Sequence, residues 1–419
     1  MNPIKTAIAS AVICSLSSMT STASPKTTSG QATAYEQLPP QVLSNTTERL
    51  SIDAKGIQNG ANQLQIQFQG QLLHFQLDQF TWTERGNTRW QGYVTNAQNP
   101  QAKNRVLLIT AGSGLVEGQI EVDGRFLKLN AIAQGLSQLT EVTGIAHRLP
   151  TDAPKRILRR SKRSTLTEFS AFMTAQYIQP QSITLPDTKR VHPLTIDVLF
   201  AAEPFISPSR LELMAEMELA LFEEVMQNSG LSHIKTRLVG TMITDDRSLD
   251  DSDDTLDKLK DPNDGYMDDV AAERERTKAD IAIVIADTTD ACGIADDSLL
   301  ADNAFAIANP IEGCSYKYTL QHEMAHLFGA HHDEFVEPNP YFEYGRGWIA
   351  NDWSYRTLMA YDNGCPSTRA CTRVKYLSSP TNTMNGLPLG DTTHDNTRVV
   401  RENAEKVANY RDAGDIHSI

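Results

Sequence analysis

No apolar run in this 419-residue chain approaches the roughly 20 residues that a bilayer-spanning helix needs, so no membrane span is expected. Cysteine is scarce, with 5 in the whole chain and none between residues 24 and 163. Positive charge is in deficit: 38 Lys+Arg face 52 Asp+Glu, for a net charge of −14. An acidic surface repels polyphosphates and anionic lipids, which argues against nucleic acid or a membrane surface as partner. The deficit is uneven. Residues 24–163 carry a net +6 and residues 164–419 a net −21, so the two parts can attract each other. With 40% hydrophobic and 21% charged residues the composition is that of soluble globular protein, and the length allows two or three domains.

The first 23 residues read as a secretory signal: Lys5 gives a positive start, Thr6 to Met19 a short apolar stretch, and Ser21-Thr22-Ala23 a small-residue cleavage site. Ile13 is too large for a lipoprotein box before Cys14. The expected location is outside the cytosol, extracellular or periplasmic. Removing the signal leaves Cys292, Cys314, Cys365 and Cys371. An even set in an exported protein suggests two disulfides. Of three pairings, Cys292–Cys314 with Cys365–Cys371 is favoured; free buried thiols are the alternative.

The densest chemistry lies at His322-Glu323-Met324-Ala325-His326-Leu327-Phe328-Gly329-Ala330-His331-His332-Asp333, which reads H-E-x-x-H-x-x-G-x-x-H-D. Histidines four apart share a helix face, so His322 and His326 can reach one metal ion. Gly329 can take a positive φ, end the helix and turn the chain back to present His332 as a third nitrogen. Three protein ligands leave a position open for water, the arrangement of a catalytic rather than a structural zinc. Glu323 sits where its carboxylate can serve as base towards that water. His331 is one position off the required spacing and reads as a loop side chain.

Together with Thr357-Leu358-Met359-Ala360-Tyr361, this segment resembles the metzincin clan of zinc endopeptidases, with its extended zinc helix and Met-turn. The resemblance implies one zinc ion held by His322, His326 and His332, with Met359 as the apolar floor beneath the imidazoles. Asp333 after the third histidine resembles the reprolysin branch. Tyr361 is similar instead to the astacin and serralysin tyrosine, which ligates zinc or supports the oxyanion; a plain buried tyrosine is the alternative. The stretch through Asp362, with Arg373-Val374-Lys375-Tyr376-Leu377-Ser378-Ser379-Pro380, is most similar to bacterial peptidyl-Asp metallopeptidases. The resemblance covers roughly the C-terminal half.

Short alternating runs separated by glycines, from about Leu50 to Leu129, predict a β-rich unit. It resembles the propeptides of reprolysin-like enzymes and is assigned to residues 24–163; a substrate-binding β-domain kept in the mature protein is the alternative. The basic stretch Lys155 to Arg163 is a proteolytic target, and Lys189-Arg190 is a second, so the boundary lies at 163 or 190. Many metzincin propeptides inhibit through a cysteine thiolate on the zinc, and a cysteine-free segment cannot, so latency must come from another ligand or from occlusion of the cleft.

Residues 164–419 then read as an α/β catalytic domain with a mixed, mostly parallel twisted sheet. Strands are expected at Leu194–Phe200, Ile234–Ile243, Ile281–Ala286 and Ala304–Ala308, and the metzincin resemblance implies that the last is the edge that pairs with extended substrate. Helices are expected over 210–228, with a single stripe of Leu211, Ala215, Leu219, Phe222 and Val225, and over 396–411. Asp245 to Asp269 reads as a solvated loop, with Ca2+ as the alternative occupant, because Asp261-Pro262-Asn263-Asp264-Gly265 places its glycine one position early for an EF-hand loop. The resemblance implies that Arg369, Arg373 and Lys375 fall where the pocket after the scissile bond is formed, and Arg373 is the candidate to favour an acidic side chain there, a solvent-facing arginine being the alternative. The expected protein is a secreted zinc endopeptidase made as a zymogen, acting on proteins or peptides and inhibited by its own propeptide. A non-catalytic zinc-binding or toxin-like protein on the same fold is the alternative, disfavoured by the intact Glu323.

Overall fold

A computed structural model describes residues 45–99, 104–142, 193–249, 251–288, 290–309, 314, 318–366 and 371–411. The signal at 1–23, the basic stretch at 155–163, Lys189-Arg190 and Arg369 lie outside them.

Alternation builds the N-terminal part. In Gln63–Phe68 it sends Leu64, Ile66 and Phe68 inward and leaves the glutamines between them more exposed. The elements are β1 (Asn45–Ser51), a short helix α1 (Ala54–Gln58), β2 (Gln63–Phe68), β3 (Gln71–Trp82), β4 (Thr88–Val94), β5 (Arg105–Thr110), β6 (Val116–Val122), β7 (Arg125–Ala133) and β8 (Leu136–Val142). The eight strands form one antiparallel sheet in the order β1-β8-β7-β6-β5-β4-β3-β2. The β2–β3 and β6–β7 hairpins turn on Gln69-Gly70 and Asp123-Gly124, all four at positive φ, the backbone that two-residue turns require. Trp90 anchors the core and donates its indole N–H to the Ala61 carbonyl at 2.8 Å.

The C-terminal part begins with β9 (Leu194–Ala202), α2 (Pro208–Asn228), β10 (Ile234–Ile243), α3 (Ser252–Leu259), α4 (Asp268–Thr277), β11 (Ile281–Ile285), β12 (Gly293–Ala295) and β13 (Phe305–Ala308). After α5 (Thr319–Leu327) come small pairs, β14 (Tyr355–Arg356) with β15 (Thr372–Arg373) and β16 (Ser379–Met384) with β17 (Leu387–Leu389), and then α6 (Asn396–Val407). The main sheet runs β10-β9-β11-β13-β12, parallel except for β12. This is the mixed, mostly parallel sheet expected. No helix among the described residues is long and apolar enough to cross a membrane.

Three expectations need correction. The edge strand is β12, not 304–308: β13 lies between β11 and β12. Gly-Ile-Ala is too short to show a period, which is why β12 is not visible in the sequence. The aspartate-rich stretch is not one loop. Asp251 caps α3 by accepting from the Asp253 and Asp254 amides, and Leu256 and Leu259 bury one side of that helix. Helix α2 buries two faces rather than one stripe. The predicted stripe meets the sheet and α5, while Leu213, Met217, Ala220 and Leu221 pack against Leu107 and Ile109 of β5.

The N-terminal sheet and α2 also meet through charge. Glu218 of α2 pairs with Lys128 at 3.0 Å, with side chains 9% and 4% exposed. Arg210 pairs with the fully buried Glu117 at 2.8 Å. Lys375 reaches Glu121 at 2.8 Å and Glu224 at 2.7 Å. Breaking a buried pair strands the remaining charge. Lys128→Ala should therefore lower unfolding free energy by about 3 kcal/mol, measured by urea denaturation of the full chain; a loss below about 0.5 kcal/mol, the usual size for a surface change, would show that the pair is not buried in solution.

Candidate metal centre

Helix α5 starts at Tyr318, held at φ +55. Gln321, buried, donates to the Glu218 carboxylate at 2.8 Å and to its carbonyl at 3.0 Å, so α5 is anchored on α2 one residue before His322. The helix ends at Gly329, φ +85, where the Gly329 and Ala330 amides bond back to His326 and Ala325. The sharp reversal delivers His332.

The three predicted imidazoles converge. Their Nε2 atoms lie 3.1 Å (His322–His332), 3.2 Å (His322–His326) and 2.9 Å (His326–His332) apart. His322 Nδ1 donates to the Leu358 carbonyl at 3.0 Å, and His326 Nδ1 to the Ala330 carbonyl at 2.8 Å. A carbonyl only accepts, so both rings carry their proton on Nδ1 and turn the Nε2 lone pair to the common point. Burial first, then His326 and Arg373 nearby, hold His322 well below its ordinary pKa, which keeps it neutral. Neutral imidazoles with lone pairs facing one another repel unless a cation sits between them. A tetrahedral zinc with bonds of about 2.0–2.1 Å would place its nitrogens about 3.3–3.4 Å apart, close to the observed spacing. The residues fit the metal.

Glu323, next in the chain to His322, is buried and faces β12. A Cβ placed on Gly293 would come within 2.7 Å of the Glu323 Cγ and Oε1 and of the Thr319 methyl. The glycine thus lets the edge strand approach the carboxylate closely. Met359 is fully buried in the main core, next in the chain to Leu358, whose carbonyl accepts from His322. Asp333 ties the motif to the Met-turn by accepting from the Tyr361 amide at 2.7 Å, and burial raises its pKa. Gly347 packs on the same turn and donates its amide to the His332 carbonyl at 3.1 Å.

Tyr361 stands edge-on to His332 and His322, with centroids at 4.7 and 5.7 Å. Half-buried Arg373 lies over the Tyr361 ring at 5.6 Å and donates to the Ala360 carbonyl at 3.3 Å. Buried Arg356 donates to the same carbonyl at 2.6 Å, and burial with Arg373 beside it brings its pKa down to about 9. Lys375, although in the same stretch, is committed to Glu121 and Glu224 and cannot also face a substrate. His331 lies in the loop after α5 as expected, but it is not solvated: its side chain is 3% exposed and lies 2.9 Å from Glu337. Both favoured disulfides are present. Cys292–Cys314 joins the residue before β12 to the approach to α5, and Cys365–Cys371 closes the loop after the Met-turn.

Sequence reasoning does not reach Gly293, Arg356, Glu337 or Asn396. Gly293 carries its signal only through a neighbour 30 residues away, and the other three act through partners far along the chain or, for Glu337, through a turn that has no period to read.

Residues 211–382 match the model of metallo-peptidase family M12, of reprolysin type. The chain is similar to a peptidyl-Asp metalloendopeptidase of Xanthomonas campestris pv. campestris, 26% identical over 86% of this chain and 85% of that one. It is similar to two proteins of the same name from Stenotrophomonas maltophilia: 26% identical over 87% of each chain for strain R551-3, and 27% identical over 76% of this chain and 73% of that one for strain K279a. Metalloproteinase-II from Bacteroides fragilis overlays with a TM-score of 0.41 at 12% identity over 85% of this chain and 97% of that one, too loose a match to argue from.

Gly293→Ala should leave metal content unchanged and lower turnover about 100-fold, because the added methyl displaces Glu323 by the order of 1 Å. Metal analysis beside steady-state rates checks this; full turnover would mean that Glu323 tolerates displacement.

Proposed function

This chain being a metzincin-like zinc metalloendopeptidase, we propose that it is an exported zymogen that cleaves peptide bonds before an acidic residue, with Glu323 as the proton carrier. The observation that carries the reading is the convergence of three buried imidazoles on one point, with the buried Glu323 next in the chain to the first of them. His322, His326 and His332 would hold the ion. Zinc, when bound, supplies Lewis acidity towards water and the scissile carbonyl.

Everything else falls to the chain. Glu323 takes the proton of the attacking water and hands it to the leaving amine. Strand β12 offers the edge along which an extended peptide pairs, and Gly293 brings that backbone against the carboxylate. Tyr361, packed on two of the ligands, is the further donor to the developing oxyanion. Asp333 and Met359 keep the Met-turn under the rings.

For specificity we take Arg373. It is half-buried, packs on Tyr361 and follows the Met-turn, and Arg356 adds a second guanidinium at the Ala360 carbonyl. Two positive groups there favour a carboxylate after the cut, in keeping with the name of the relatives.

The zymogen reading rests on construction. The N-terminal sheet has its own core and is joined to the C-terminal part through residues 143–192, which contain the basic stretch. As its own inhibitor the sheet would act without a cysteine. It reaches the entry of α5 through Lys128–Glu218–Gln321 and through Phe126, edge-on to Tyr318 at 6.3 Å. Export is supported by the signal-like start and by two disulfides.

Glu323→Ala should retain zinc and lose peptide cleavage; full cleavage by that variant refutes the mechanism. Arg373→Ala should lose about tenfold or more of any preference for Asp after the cut, the size of one charge-assisted hydrogen bond, in cleavage profiling of a peptide library. A wild-type profile without Asp enrichment refutes the specificity.

A further inference from the structure

The three ligands are not held alike. His322 and His326 sit on α5 and their Nδ1 atoms rest on backbone carbonyls. His332 comes from the loop after Gly329, beyond the helix, and its Nδ1 faces a carboxylate, Glu337 Oε2, at 3.6 Å. The same oxygen accepts from the His332 amide at 3.3 Å. The other oxygen, Oε1, lies 2.9 Å from His331 Nδ1. A tight turn brings Glu337 back, with the Val336 and Glu337 amides both bonding to the Asp333 carbonyl. The loop is clamped from its other side by Asn396, which accepts from the His331 amide at 3.1 Å and donates to its carbonyl at 2.8 Å.

Glu337 is itself buried. A carboxylate in such a place needs compensating positive charge. The basic side chains beside it among the described residues are the imidazoles of His331 and His332. His332 turns its other nitrogen to the point shared with His322 and His326. An ion at that point would therefore lie one imidazole away from the carboxylate. A ring oriented by a carboxylate on one nitrogen is a more basic ligand on the other, and such outer partners change metal affinity by about 10–100-fold.

We infer that Glu337 is the positioning residue of the third ligand: through the His332 imidazole and amide it holds the only ligand not on the helix, and its charge strengthens the metal bond. The inference rests on the zinc reading of the site and adds to it a residue outside the H-E-x-x-H-x-x-G-x-x-H spacing. His331 steadies the other oxygen of the same carboxylate and is not itself required.

The test uses the full-length chain, stripped of metal and titrated with zinc against a chromophoric chelator, with thermal melting recorded in the metal-free and zinc-loaded states. Glu337→Gln keeps the shape of the side chain and removes the charge. The expected result is zinc affinity about tenfold or more weaker, a smaller zinc-dependent rise in melting temperature, an altered visible spectrum of the cobalt-substituted protein, and an unchanged metal-free melting temperature. His331→Gln should keep affinity close to wild type. Wild-type affinity in Glu337→Gln overturns the inference. So does an equal loss in His331→Gln, or a fall in metal-free melting that accounts for the whole effect, since either makes Glu337 a prop for the loop. If Glu337→Gln does not fold, Glu337→Asp, which keeps the charge but withdraws it by one methylene, is judged by the same measurements. Failure of the wild-type chain to bind zinc at all would refute the zinc reading itself, a different outcome from wild-type binding with an indifferent Glu337.

Discussion

Three imidazole lone pairs aimed at one point, no more than 3.2 Å apart, are the constraint on which the site depends. The arrangement is repulsive until a cation enters, so the fold must hold it in place beforehand. Two backbone carbonyls accept from the helical ligands, and the buried Glu337 carboxylate accepts from the amide of the third and faces its ring. Those partners come from the Met-turn, the helix end and the return turn at Glu337. Asp333 then links the ligand loop to the Met-turn through the Tyr361 amide. The pieces flanking the zinc helix therefore act as one support, and a shift in any of them moves a lone pair.

The support extends behind the site. Helix α2 is buried on both faces, against the main sheet and α5 on one side and against β5 on the other. Glu218 on that helix receives Lys128 from the N-terminal sheet and Gln321 from the zinc helix. Buried charges of this kind contribute little net stability but are costly to leave unpaired, so they tie the fit of the two parts to one geometry. An N-terminal unit built this way is well placed to influence the zinc helix from its far side. Its removal would leave Leu213, Met217 and Lys375 without the surface that now covers them.

What could be read from the sequence follows from physics that is local in the chain. The ligand spacing, the positive-φ glycine after the helix, the Met-turn and the hairpin glycines each act within a few residues, and all appear where the pattern puts them. Strand alternation and the long helix were legible for the same reason. The second buried face of α2 was not, because Leu213 and Met217 sit among glutamates that look solvent-facing until Asn87 and Lys128 are brought to them. Nor was β12, three residues long, nor the fate of Lys375, which depends on carboxylates more than 150 residues away. His331 and Glu337 show the same limit: their pairing is made by a turn and not by a period.

The central claim is that hydrolysis here depends on an ion at the three-histidine point. It is tested most directly by casein cleavage by the processed protein before chelation, after removal of metal, and after titration with zinc. The account predicts loss of cleavage on removal and recovery as zinc reaches one equivalent. Cleavage that persists in protein shown by elemental analysis to be free of metal would contradict it.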